Sequence, residues 1–253
     1  MSITKDIKDT INLLKELDIY GCITGSSMLV NEADFDTWDQ APDIDVFVYY
    51  NNELLNTARM LIDSYGFEPA TDGEAWKIDR MRKAIRQKDS FLQTLKLKKD
   101  DVIVNLTFKY GKTNMLAVLS SFDMSIIMLG YDIESKTMMD LRIGTPTLIP
   151  EDPNNKWSCN RKVAVPNPLR KQDVDMYGTE MWVRQFDRVI KYWNRGFDTR
   201  PMAQFYINLI NGVIDKGRLF NSEKSMAAFD EFVSTYEPLR DKMVEWLKDK
   251  EDC

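Results

Sequence analysis

Asp43-Ile44-Asp45-Val46-Phe47-Val48-Tyr49-Tyr50 is the stretch whose reading decides the fold. Its β-branched and aromatic residues mark a strand. Residues two apart on a strand point to one side, so Asp43 and Asp45 project together from its start. Two carboxylates held that close repel each other unless positive charge lies between them. Mg²⁺ is usually held by one or two carboxylates together with substrate phosphates, so the pair suits a metal–nucleotide better than a metal alone. Asp-x-Asp recurs at Asp34/Asp36 and Asp173/Asp175, but neither of those opens an apolar strand.

Just upstream, Tyr20 to Thr24 forms a short apolar strand that runs into Gly25-Ser26-Ser27 and then Met28-Leu29-Val30. This reads as a strand, a turn and a helix start. Backbone N–H groups at such a turn can receive a phosphate. Glycine allows close backbone approach, and the serines can cap the helix or donate to phosphate oxygens. A Gly-Ser turn alone is ordinary; it points to a nucleotide through the Asp-x-Asp strand that follows it.

Outward from this centre, apolar residues at helical spacing predict a helix over 3–17, and Asn51 can start one that Gly66 ends near Tyr65. Phe91–Phe108 reads as a hairpin around a Lys99-Asp100 turn. A short helix near Thr113–Ser121 leads to a strand over Phe122–Tyr131. Five of the nine prolines (Pro146, Pro150, Pro153, Pro166, Pro168) then mark a connector. From Asp173 onward the pattern is helical, with Gly196 as a C-cap and Pro201 in a first turn. The expected architecture is α+β: a mixed β-sheet flanked by helices over 1–145, a proline-rich connector over 146–172, and a helical C-terminal domain over 173–253.

Composition narrows the chemistry. The 253 residues are 43% hydrophobic and 29% charged, the proportions of a folded chain, and no apolar run approaches a bilayer span. The sequence contains no histidine, which excludes histidine-based triads and nearly every histidine-ligated metal site. Three scattered cysteines (Cys22, Cys159, Cys253) cannot build a four-thiolate zinc site and suit a reducing compartment. The first ten residues carry no apolar signal core, so the expected location is the cytoplasm, with no membrane partner. What remains is carboxylate, hydroxyl, lysine, arginine and backbone chemistry, and carboxylates select Mg²⁺ or Mn²⁺.

The net charge is −6, yet Lys77–Lys99 holds nine basic residues against Asp79 and Asp89. One basic segment in an acidic chain suggests a local anion site or, equally, a solvated helix and hairpin. Lys83 is the central candidate there. Arg184, Arg188, Lys191 and Arg195 recur at steps of 4, 3 and 4, which reads as the solvated basic face of an amphipathic helix or as a stripe facing a nucleotide.

The run Thr24-Gly25-Ser26-Ser27…Trp38…Asp43-Ile44-Asp45-Val46-Phe47-Val48 resembles the DNA polymerase β-like nucleotidyltransferase superfamily. It is most similar to the nucleotidyltransferase-like proteins of phages and large DNA viruses. Phe122-Asp123 followed by Tyr131-Asp132, and Lys191-Tyr192…Arg195-Gly196-Phe197, match their later motifs. The resemblance spans residues 20–200 and is most specific in its first half. It implies a nucleotidyltransferase fold with Asp43 and Asp45 as metal-holding catalytic residues. Gly25, Ser26 and Ser27 would bind the triphosphate, helped by Lys83, Arg188 and Lys191, and the cofactor would be Mg²⁺ or Mn²⁺. The superfamily's third carboxylate falls at Val104-Asn105-Leu106, where this chain has an amide. Asn105 can coordinate through oxygen but carries no charge, and Asp123 is the candidate replacement.

The leading expectation is transfer of a nucleoside monophosphate from an NTP to a hydroxyl on an RNA end, a protein side chain or a small molecule. The alternative is a catalytically degenerate form of the fold that binds nucleotide or a protein partner. A nucleotide-sugar transferase also uses Asp-x-Asp, but the Gly-Ser turn before the strand and the small size count against it.

Overall fold

The computed structural model describes residues 3–31, 38, 41–83, 92–142, 145–148, 157–160, 163–167, 179–217 and 223–251. They form an α+β protein with a seven-stranded mixed sheet flanked by helices and a helical C-terminal region. The chain divides into two units, Met1–Phe122 with Ile127–Arg142, and Asp123–Ile126 with Ile143–Cys253.

The first unit opens with α1 (Ile3–Glu16), whose Ile7, Ile11 and Leu14 form one buried stripe. There follow β1 (Gly21–Thr24), β2 (Ile44–Val48), α2 (Asn51–Tyr65), β3 (Glu68–Pro69), α3 (Asp72–Lys83), β4 (Leu92–Lys99) and β5 (Val102–Lys109). Then come α4 (Met115–Leu119), β6 (Leu129–Asp132) and β7 (Thr137–Asp140). The sheet order is β3-β4-β5-β2-β1-β6-β7. Central β2 runs antiparallel to β1 and parallel to β5. A parallel neighbour requires a long crossover. Here α2, β3, α3 and β4 lie in that crossover.

Strand alternation gives the sheet two different faces. Ile44, Val46 and Val48 of β2, Val104 and Leu106 of β5, and Leu95 and Leu97 of β4 are buried on one, where α1 and α2 pack. Burying each such side chain contributes about 1.5–3 kcal/mol. The opposite face carries Asp43, Asp45 and Phe47. One end of it is closed by α4, through a cluster of Cys22, Tyr49, Met115, Val118 and Leu119 with Phe47, Phe122 and Met139 against it. The other end bears the acidic pair.

The helix ends follow the expected chemistry. Gly66, left-handed at φ 73°, closes α2, and Asn114 caps α4 by accepting from the Ala117 N–H at 2.9 Å. The hairpin turn is Asp100-Asp101, one residue later than the expected turn, with Asp100 at φ 52°.

The strand expected over Phe122–Tyr131 is shorter. β6 begins only at Leu129, after a 3₁₀ turn at Ser125–Ile127. The preceding backbone is already engaged within the second unit: the Ser125 N–H donates to Val165 O at 2.9 Å and the Asn167 N–H to Asp123 O at 3.0 Å. An apolar run does not reveal which partner its backbone will choose.

In the second unit, part of the proline-rich segment forms a hairpin of β8 (Thr145–Leu148) and β9 (Trp157–Asn160). Asp34/Asp36 and Asp173/Asp175 lie outside the described residues. Helices α5 (Thr179–Asn194), α6 (Arg200–Gly217) and α7 (Glu223–Glu251) follow. Gly196 at φ 83° closes α5, with its N–H on Trp193 O at 2.9 Å, and Pro201 stands in the first turn of α6. Trp246 of α7 meets Trp193 and Phe186 of α5 edge-on, at ring-centroid distances of 5.5 and 6.3 Å. Among the described residues, no helix is long and apolar enough to cross a membrane.

Candidate functional site

Strand register assembles the site. Asp45 pairs with Thr24 on β1 and with Asn105 on β5, and Asn105 pairs with Lys96 on β4. Paired residues in neighbouring strands point to the same face. Thr24, Asp45, Asn105 and Lys96 therefore form one row across four strands, with Asp43 two residues before Asp45. Asp43 itself stands just ahead of β2, which begins at Ile44.

Within the row, Asn105 Nδ2 donates to Asp43 Oδ2 at 3.0 Å and to Asp45 Oδ1 at 2.9 Å. An amide nitrogen has two protons, one for each carboxylate. The reverse orientation would set a carbonyl oxygen against two anionic oxygens, so with no cation between them this one is electrostatically favoured. Asn105 Oδ1 is left buried with no hydrogen-bond partner.

The turn after β1 closes on the same pair. Thr24 Oγ1 donates to Leu129 O at 2.9 Å, which ties the end of β1 to β6. Gly25 adopts φ 82° and ψ −162°, a region open essentially to glycine. A Cβ on Gly25 would lie 2.4 Å from Asp45 Oδ2. The helix expected next is a single 3₁₀ turn, Ser26–Leu29. Its first internal bond is the Met28 N–H to Gly25 O at 3.2 Å, so the N–H groups of Ser26 and Ser27 have no acceptor inside the turn. Ser27 Oγ donates to Thr24 O at 3.4 Å, whereas Ser26 Oγ has no partner among the described residues.

The structure thus brings together Asp43, Asp45, Asn105, Gly25, Ser26 and Ser27 in the first unit. Of the remaining candidates, Lys83 belongs to the first unit, and Asp123, Arg188 and Lys191 to the second. Lys83 is the last residue of α3, and its side chain, like all of 84–91, lies outside the described residues. Lys77 of the basic segment is ion-paired to Glu74 at 2.7 Å. Glu74 in turn accepts the Lys96 N–H at 3.2 Å, completing the edge of β4 beyond two-residue β3.

In the second unit, Asp123 is 3% exposed and binds Arg188 Nη1 at 2.6 Å. Arg188 also donates to Gln185 Oε1 at 3.3 Å, which accepts from Tyr206 OH. Burial opposes the Arg188 charge, but the Asp123 carboxylate together with Tyr192 and Tyr206 outweighs it and raises the guanidinium pKa. The basic stripe of α5 therefore divides: Arg188 is committed to Asp123, while Arg184 and Lys191 are exposed.

Asp43 and Asp45 offer hard oxygen donors, and Asn105 adds an amide oxygen if its side chain turns over. This set suits Mg²⁺ or Mn²⁺. Among the described residues, no three His, Cys, Asp or Glu residues group together as ligands. The buried, unpartnered Asn105 oxygen is consistent with an amide that has a second orientation available.

Lys96 shares the row with Asn105 but is missed by motif reading: the observed Asp100-Asp101 turn sets it opposite Asn105, whereas the expected Lys99-Asp100 turn would set Thr94 there, and its side chain is exposed. Tyr49 packs in the α4 cluster and donates to the Asp132 carboxylate. No protein-family model matches the chain, and no curated protein matches it.

Proposed function

We propose that the protein is a metal-dependent nucleotidyltransferase of the DNA polymerase β-like type. It would move a nucleoside monophosphate from an NTP to a hydroxyl on RNA, a protein side chain or a small molecule, with release of pyrophosphate. The observation that carries this reading is the approach of the Gly25 backbone to Asp45. A Cβ on Gly25 would meet Asp45 Oδ2 at 2.4 Å, so the turn after β1 and the acidic strand approach too closely for a methyl group.

In this reading, Asp43 and Asp45 hold the metal–triphosphate. The Ser26 and Ser27 N–H groups and Ser26 Oγ donate to phosphate oxygens. Lys96, on the same face, adds positive charge near the polyphosphate. The acceptor hydroxyl must lose a proton, and within the Asp43–Asp45–Asn105 trio only the carboxylates can take it. A divalent cation, when bound, neutralises phosphate charge and polarises the phosphorus–oxygen bonds.

One observation favours a second reading, a nucleotide-binding module without transfer. Asn105 fills the third acidic position with an amide that already bridges the other two carboxylates.

Incubation with each α-labelled NTP, Mg²⁺ or Mn²⁺, cellular RNA and lysate proteins separates the two. Label transferred by the wild type and lost in the Asp43→Asn/Asp45→Asn protein supports the enzyme. Metal-dependent binding of NTP without any transfer supports the module.

A further inference from the structure

We propose that Asn105 limits this site to one divalent cation per chain, the one that travels with the nucleotide. The inference rests on the reading of Asp43 and Asp45 as metal–nucleotide ligands and specifies how many cations they accept. Two-metal phosphoryl-transfer sites set their cations about 3.5–4 Å apart. Two dications repel four times as strongly as two unit charges at the same distance, so the surrounding anions must offset them. Among the described residues, the offset here is two carboxylates, not three.

The bridging geometry removes a further place. The Asn105 N–H₂ group lies 3.0 Å from Asp43 Oδ2 and 2.9 Å from Asp45 Oδ1, on the side where both oxygens converge. It partly offsets their repulsion as a cation would, but it brings protons rather than a lone pair. If the amide turned to present Oδ1, the N–H₂ group would enter a buried position where Oδ1 now finds no partner. Either orientation leaves one polar atom unmatched, and neither adds negative charge.

Equilibrium dialysis of the full chain against Mn²⁺ and each α,β-methylene ribonucleoside triphosphate, followed by counting both in the protein chamber, tests this. The Asp43→Asn/Asp45→Asn protein supplies the background from surface sites. We expect about one Mn²⁺ per bound nucleotide in the wild type and about two in Asn105→Asp. Two in the wild type would overturn the inference and leave the nucleotide-site reading standing. None above background with any analogue would overturn that reading, and the inference with it. The wild-type count alone decides, whether or not Asn105→Asp folds.

Discussion

Asn105 Nδ2 lies 2.9 Å from Asp45 Oδ1, its register partner on the neighbouring parallel strand. The same nitrogen reaches Asp43, so one neutral side chain holds two like charges together in the absence of metal. Hydrogen bonds to charged groups contribute about 1.5–3 kcal/mol each. Asn105→Ala removes both and should therefore lose about 3 kcal/mol or more of stability in metal-free buffer, measured by urea unfolding. Millimolar Mg²⁺ should restore part of that loss and leave the wild type nearly unchanged.

Gly25→Ala carries two penalties. Its φ of 82° disfavours any side chain, and the new methyl would meet Asp45 Oδ2 at 2.4 Å. Strain of this kind costs about 1–3 kcal/mol. The expected result is a lower melting temperature together with at least a tenfold weaker NTP affinity, read by thermal unfolding and titration of a fluorescent NTP.

Lys96→Ala should raise KM for the NTP by about 1.5-fold to fivefold, the range of one lost ion contact near the surface. The fold should be unaffected, because the Lys96 side chain is exposed. Lys98→Ala is the matched control. It lies on the same strand face but is ion-paired to Glu68 at 3.1 Å, and it should change KM little.

Burial pushes the Cys22 thiol up to about 12; the Tyr49 hydroxyl opposes the shift and the Asp132 charge adds to it. Between about 9 and 12 the unfolded chain releases this proton while the folded chain keeps it, so stability falls as pH rises through that window. Each pH unit should remove about 1.4 kcal/mol for this group. Cys22→Ala should show a shallower alkaline loss by that amount, measured by urea unfolding at pH 9.5 and 10.5.

Much of this was legible from residue patterns. The Asp43–Tyr50 stretch announced its strand through β-branched content, and Gly25-Ser26-Ser27 announced its turn. Gly66, Gly196 and Pro201 punctuated helices as their backbone preferences require. Lys96 was not legible, since a hairpin register follows from the turn, and the expected Lys99-Asp100 turn sets Thr94 rather than Lys96 opposite Asn105. Asp123 was harder. Its role comes from Arg188, 65 residues away in sequence, and a salt bridge across that distance leaves no local pattern. The break in the Phe122–Tyr131 strand was hidden for the same reason, because residues 165–167 compete for its backbone.

The central claim is that Asp43 and Asp45 bind a metal–triphosphate beside the Gly25-Ser26-Ser27 turn. Titrating the purified protein with each NTP by calorimetry, in Mg²⁺ and then in EDTA, tests it most directly. Binding of at least one NTP in Mg²⁺ that disappears in EDTA and in the Asp43→Asn/Asp45→Asn protein is the predicted result. NTP affinity that is the same with and without Mg²⁺, or unchanged in that double variant, would contradict it.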